Sequence, residues 1–262
     1  RADIQVVLLG HREGQVLVAR NEIATVRDLE GKTIFIPHQY STHHILLHKI
    51  LESEGMNLAD VTLKIGYADI SEVVESLEKN IIQGFIIAEP IGTEAVRRKI
   101  GKILTLSQHI KKHHIDCVLA LRSEVIKKHP EACQELVTSL VKAGAFINAY
   151  PRQAAEIGEK FLSRWSKSIL LEALTHNKGH ILFWDLLPRM EDFEDLQRIA
   201  VDEMKLWRNA VDLNDLVYSD FAQGAYREWM IDVRKEIKDR GKERTLPGNL
   251  LEATSRFRAN FP

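Results

Sequence analysis

Gly31-Lys32-Thr33-Ile34-Phe35-Ile36-Pro37-His38-Gln39-Tyr40-Ser41-Thr42-His43-His44-Ile45-Leu46-Leu47 reads as a buried strand that breaks into a polar turn and then opens a helix. Thr33 to Ile36 is a short apolar run bounded by Gly and Pro, the pattern of a strand in a parallel sheet. Ser41 or Thr42 is placed to cap the helix that follows. Backbone N–H groups and the positive end of the helix dipole then face whatever occupies the loop, which suits an anion. Open α/β sheets bind ligands at the carboxyl ends of their strands, and this loop lies at such an end. An ordinary capped helix with hydrophilic loop residues is the competing reading of the same spacing.

Working outward, strands and helices alternate as far as residue 123. Strands are expected near 4–9, 15–19, 33–36, 61–65, 84–88, 102–105 and 117–121, with helices near 42–54, 70–79 and 92–99. That rhythm is the one of a doubly wound α/β fold with right-handed crossovers. Asp69 and Glu72 match a capping box for the helix at 70–79, whose Ile70, Val73, Val74 and Leu77 form one apolar face. Asn80 ends it. Beyond residue 123 the period is helical. Pro130 opens a helix toward Tyr150, Pro151 starts the next, and further helices are expected at 153–163, 167–176, 193–208 and 220–238. The stretch 241–262 reads as a surface tail.

The chain has 262 residues, 45% of them hydrophobic and 28% charged, enough for one large or two modest cores. A formal net charge of -1 argues against a nucleic-acid partner, which needs clustered excess Lys and Arg. No apolar run reaches the roughly 18 to 20 residues of a membrane helix. Because Arg1 opens the chain and Ile4 to Leu9 already looks like a strand, the sequence is read as starting inside a domain. Cys117 and Cys133 cannot make a disulfide framework, although one bridge between them stays open; Cys117 in its apolar strand is expected to be a buried thiol.

Chemistry-bearing residues gather at a few places. Glu89 follows the apolar strand Gly84 to Ile87 directly, so its carboxylate at the sheet edge needs a cation, a proton or a hydrogen-bond donor. Asp69 is read as a helix cap or a ligand contact. His44 and His48, four apart on one helix, are a candidate zinc pair with no third ligand specified by spacing. His113 and His114 precede the strand near Cys117, where an exposed pair competes with a hinge or pocket role. Motifs of hydrolases, nucleotide-binding loops and Cys-x-x-Cys redox centres are absent, and no cofactor is expected.

The ordered set Asp28-Leu29-Glu30-Gly31-Lys32-Thr33, Pro37 to Leu47 and Gly84-Phe85-Ile86-Ile87-Ala88-Glu89-Pro90-Ile91-Gly92 resembles the solute-binding proteins of ABC importers for nitrate, bicarbonate, sulfonates and taurine. The resemblance continues through His114-Ile115-Asp116-Cys117-Val118-Leu119 and His129-Pro130-Glu131. It implies a two-lobed, type II periplasmic-binding-protein-like α/β fold that closes on a small ligand. The implied division is residues 1–30 as the remainder of lobe 1 and hinge approach, 31–112 as lobe 2, 113–240 as the return to lobe 1 with the C-terminal helices, and 241–262 as tail. Such proteins usually carry a longer N-terminal part, so the resemblance implies that part of lobe 1 is missing here.

The candidate ligand-binding residues are His38, Gln39, Tyr40, Ser41, Thr42, His43, Asp69, Glu89 and His114; the resemblance implies that Ser41 and Thr42 belong to the second lobe's half of the site, with Glu89 near the ligand. His38 and His43 match positions where nitrate- and bicarbonate-binding members place polar residues. Ile91 replaces an aromatic residue common after Glu-Pro, which leaves the ligand class open. A carboxylate at position 89 disfavours a bare monoanion without an accompanying cation or proton. The implied partners are a small-molecule ligand and the permease subunits of an ABC transporter. The implied location is periplasmic or extracytoplasmic, with lipid anchoring through a missing N-terminal segment as one route. The alternative function is a metal- or His-dependent enzyme of the pyrimidine-precursor synthase type on the same scaffold, although the cysteine-rich motif of those synthases is not seen. A remnant that binds a partner and no longer uses its cleft is a third reading.

Overall fold

A computed structural model describes residues 3–66, 70–175 and 181–239. These residues build two sheets. The first has the order β7-β1-β8 and is antiparallel, made of β1 (Ile4–Glu13), β7 (Ile115–Arg122) and the short β8 (Ile181–Leu182). The second has the order β4-β3-β5-β2-β6, made of β2 (Gln15–Ala19), β3 (Thr33–Ile36), β4 (Thr62–Ile65), β5 (Gly84–Ala88) and β6 (Lys102–Leu106). In this sheet β3 runs parallel to β4 and β5, while β2 runs antiparallel to β5 and β6.

Each sheet has its own core. Around the first, Val7, Leu9, Val137, Val141, Phe221 and Trp229 pack together, drawing on α6 (Pro130–Ala149) and α11 (Asp220–Asp239). The second is covered on both faces. Val74, Leu77, Phe85 and Ala95 fill one side, with α2 (Ile70–Glu78) and α3 (Ile91–Arg97). Leu17, Ile34, Leu47 and Leu51 fill the other, with α1 (Thr42–Ser53). Burial on both faces explains why β2, β3 and β5 read as continuous apolar runs. Pro130 stands at the first turn of α6, where its missing N–H costs nothing. Asn80, just past α2, takes a positive φ of 59°, which short polar side chains tolerate at a helix end.

Two features of the fold differ from the sequence expectations. β2 lies between β5 and β6, inside the five-stranded sheet, and so does not belong with residues 1–30 of a first lobe. The chain leaves the first sheet at Glu13–Gly14. Both residues have positive φ, 59° and 84°, and a Cβ at position 14 would run into the side chain of Ile181. The turn therefore requires glycine. The return crossing, between α4 (Ser107–Ile110) and β7, runs beside it: the Glu13 N–H donates to the His114 carbonyl at 3.1 Å, and the His113 N–H donates to Glu13 Oε1 at 2.7 Å.

The second difference is in the helical region. α9 (Met190–Arg198) continues through a π turn at Ile199–Glu203 and then stops, short of residue 208. Lys205 has a φ of 54°, and the Leu206 N–H closes back on the Ala200 carbonyl at 2.8 Å, a left-handed helix stop. The remaining helices are α5 (Ser123–Lys128), α7 (Pro151–Phe161), α8 (Lys167–Thr175) and α10 (Leu213–Leu216). α8 leans on the five-stranded lobe through Arg97, which binds Glu172 at 2.7 Å and Ser168 at 2.8 Å. Ile199 and Ala200 pack on Ile45 of α1, so the C-terminal helices touch both lobes. The capping box at Asp69 and the tail at 241–262 lie outside the described residues.

Candidate functional site

The carboxyl ends of β3 and β5 and the amino end of β2 meet at one edge of the five-stranded sheet, since Gln15 pairs with Ala88. The end of β1 and the start of β7 reach the same place from the other sheet. Here the chain gathers His11, Gln15, Thr42, His43, His114, Asp116 and Cys117, with Glu89 adjoining.

The link across the lobes is Gln15. Its Nε2 donates to Thr42 Oγ1 at 2.8 Å and also to Asp116 Oδ1. His11 Nε2 donates to the other carboxylate oxygen, Asp116 Oδ2, at 3.0 Å. Burial opposes charge on His11, but the hydrogen bonds and charges of Asp116 and Cys117 outweigh it and push His11 up to about 10. Burial by itself would raise Asp116; the bond to His11 and that imidazolium's charge bring it below the usual carboxylate range. His43 and His114 go the other way. Burial holds both below the ordinary imidazole value, so they are neutral near pH 7 and each offers one donor and one acceptor.

Much of that hydrogen-bonding capacity is unused within the protein. Both ring nitrogens of His43, Nε2 of His114, Nδ1 of His11, Oε1 of Gln15 and Oε1 of Glu89 are buried without a protein partner. Buried polar atoms are nearly always paired, so a concentration of unpaired ones at one place calls for an explanation. Glu89 Oε2 accepts the Thr93 N–H at 2.9 Å. Burial pushes its carboxyl up to about 7, with the Thr93 bond working against that shift.

The rest of the His38–His43 loop faces elsewhere. Ser41 is the N-cap of α1: its Oγ accepts the His44 N–H at 3.4 Å and donates to the His38 carbonyl at 2.6 Å, so local structure uses the hydroxyl. The Gln39 carbonyl accepts from His44 Nδ1 at 2.7 Å. Tyr40 is exposed and lies between the His38 ring, at 5.4 Å, and Trp207, at 6.3 Å. Of the loop, Thr42 and His43 join the buried cluster. Asp69 lies outside the described residues.

Three readings of individual residues change. Cys117 is exposed: β7 is an edge strand, and at Cys117 and Val118 successive residues are open to solvent; both Cys117 and Cys133 are free thiols. His113 and His114 part company: His114 is 3% exposed, whereas His113 is exposed, with its ring edge against Trp184 at 5.8 Å. His44 and His48 do not converge on one ion, since His44 is bonded to Gln39 and His48 lies by Glu52 and Glu203.

His11, Gln15 and Asp116 were not singled out from sequence. The signal for the first two was the polar run His11-Arg12-Glu13-Gly14-Gln15 between two apolar strands. Arg12 in that run is 1% exposed and is structural: it donates to the carbonyls of Asp185 at 2.7 Å, His113 at 2.6 Å and Leu187 at 3.0 Å, and pairs with Asp192 at 2.8 Å. A separate groove at the far end of β1, lined by Asp3, Ile4, Ser123, Lys127 and Asp215, among others, has no such cluster.

Two sheets joined by paired crossings, with polar groups gathered where they meet, define a type II periplasmic-binding-protein fold of the kind found in nitrate- and sulfonate-binding components of ABC import systems. The chain belongs to the NMT1-like family, whose model matches residues 7–160. It is 28% identical over 130 residues to the nitrate import ATP-binding protein NrtC of Synechocystis, covering 46% of this chain and 19% of that relative. The chain thus spans well under half the length of that relative. Among solved structures, the zinc-bound ligand-binding component of an ABC-type import system from Staphylococcus aureus superposes with a TM-score of 0.75 at 23% identity, covering 86% of this chain and 75% of that one. The periplasmic nitrate-binding protein NrtA from Synechocystis superposes with a TM-score of 0.76 at 12% identity, covering 87% and 68%. The fold also serves an enzyme: the desulfurization enzyme DSZB superposes with a TM-score of 0.65 at 13% identity, covering 87% and 80%.

Proposed function

We propose that the chain is a solute-binding component of an ABC importer, reversibly holding a small anion or a sulfonate-like organic ligand between its lobes. It would work outside the cytoplasmic membrane and hand its ligand to permease subunits. The observation that carries this reading is the set of unpaired buried nitrogens and oxygens on His43, His114, His11 and Gln15, contributed by both sheets. In the proposed complex the neutral imidazoles of His43 and His114 turn a ring N–H toward the ligand, and the Thr42 hydroxyl and the adjoining helix N-terminus add to it. Glu89, its carboxyl raised to about 7, can keep its proton and donate a hydrogen bond, so it need not repel an anion. Ser41 acts through the helix cap, and His38, Gln39 and Tyr40 form the outer wall.

The test is a thermal-shift and calorimetric screen against nitrate, bicarbonate, aliphatic sulfonates, taurine and pyrimidine precursors. A ligand at about 100 times its Kd stabilises the folded state by about 2.7 kcal/mol. A saturable shift with one of these, weakened by about 1.5–3 kcal/mol in Thr42→Ala or His43→Ala, is the expected result. Turnover of a bound compound would favour the enzyme alternative. No saturable ligand, or full affinity in both variants, would sink the proposal.

A further inference from the structure

We infer that His11, Asp116 and Cys117 form a site for a divalent transition-metal ion of the zinc class at the mouth of the lobe junction. One ligand atom from each of these side chains lies within 4.8 Å of the other two. His11 Nε2 and Asp116 Oδ2 are 3.0 Å apart. Two ligands bound at about 2.0–2.2 Å to one tetrahedral ion are separated by about 3.4 Å, so a small outward adjustment seats them once the ion displaces to solvent the Nε2 proton that His11 donates to Asp116.

The backbone explains how neighbours in sequence converge. Asp116 and Cys117 are consecutive and in a regular strand would point to opposite faces. The β1–β7 pairing slips between Leu9 and His11 and again between His11 and Arg12. These irregularities re-aim the side chains, as bulges do. The Cys117 sulfur rests over Gly10, where any Cβ would collide with it. That contact fixes the thiol beside His11.

The donor set selects the ion. A thiolate with an imidazole and one carboxylate suits zinc, cobalt or a similar ion over magnesium or calcium, which favour oxygen ligands. Gln15 holds the far oxygen of Asp116 and is held in turn by Thr42, the kind of outer support that orients a metal-bound carboxylate. Three protein ligands leave a tetrahedral ion one open position. A water molecule or a small ligand entering the junction can take it.

The other grouping of potential ligands among the described residues, His48, Glu52 and Glu203, is less suited. Lys49 already binds Glu52 at 2.8 Å and Glu203 at 2.6 Å, so its acids are occupied by a cation.

The metal site shares His11 and Gln15 with the proposed solute site, and metal alone as the probe keeps the failure of either reading distinguishable. Cobalt(II) titrated into the full chain, reduced with a non-thiol reductant, should bind one ion per chain and produce a thiolate-to-cobalt charge-transfer band. Cys117→Ser should abolish the band, and His11→Asn should weaken binding by at least about tenfold. Cys133→Ser and His48→Ala should change neither, and zinc should displace the cobalt. Circular dichroism of each variant verifies that it is folded. Absence of a stoichiometric thiolate band, its survival in Cys117→Ser, or its loss in Cys133→Ser would overturn the assignment.

Discussion

In the five-stranded sheet β2 is buried at every residue and β5 at all but its last, whereas β7 of the three-stranded sheet leaves Cys117, Val118 and Ala120 exposed. The two lobes also supply the junction differently. The five-stranded lobe offers a loop and a helix start after β3, and a carboxylate after β5, as parallel strands do. The three-stranded lobe offers side chains from within its strands, brought together by slipped pairing between β1 and β7. A site built from loop ends is written in contiguous sequence. One built across an antiparallel pair is not, because its members, His11 and Asp116, are more than a hundred residues apart.

The largest effect should come from the polar anchor of the three-stranded lobe. Arg12→Ala removes a buried guanidinium with four partners and strands Asp192 and three carbonyls, so urea unfolding should show a loss of about 3–5 kcal/mol. A loss below about 1 kcal/mol would mean that this lobe is held by its apolar core alone.

Next is Glu89, which tests the edge of the five-stranded lobe. With its carboxyl at about 7 in the folded state and an ordinary value of 4.5, folding favours the protonated form. That contribution is complete below the ordinary value and is lost as pH rises through about 7. Glu89→Gln should therefore be more stable than the parent above pH 7, by on the order of 3 kcal/mol, with the gain fading toward acid. Chemical denaturation at several pH values measures it; a pH-independent difference would assign the carboxylate a plain structural pairing.

Smaller still, Ser41→Ala should cost about 1 kcal/mol of stability through the lost cap of α1. Its effect on ligand affinity should be less than that of Thr42→Ala, and the reverse order would move the site outward along the loop. Smallest of all, Val118→Thr on the open face of β7 should change stability by no more than about 0.5 kcal/mol. A larger loss would show that this face is covered in solution.

The elements themselves were readable from local pattern. Thr33–Ile36, Gln15–Ala19 and Gly84–Ala88 announce their strands by unbroken apolar runs, and Pro130 and Asn80 mark helix ends through backbone geometry. The π turn at Ile199–Glu203 and the stop at Lys205 carried no such mark, since a lysine in the left-handed region is held there by surrounding contacts. Cys117 was misread for a related reason: apolar neighbours indicate a strand, but whether its second face is covered depends on what packs beside the sheet.

By itself, the sequence determined the α/β rhythm, the capped helix after Pro37, the carboxylate at the end of β5 and the family resemblance, because each rests on residues close together in the chain. Only the tertiary structure decided that β2 joins the larger sheet, that Ser41 caps while Thr42 meets Gln15, that His114 is buried, and that His11, Asp116 and Cys117 stand together. Those outcomes depend on strand order, on a turn at Glu13–Gly14 and on register slips between distant strands. Contacts of that kind arise from packing across the whole molecule, so no short window of sequence contains them.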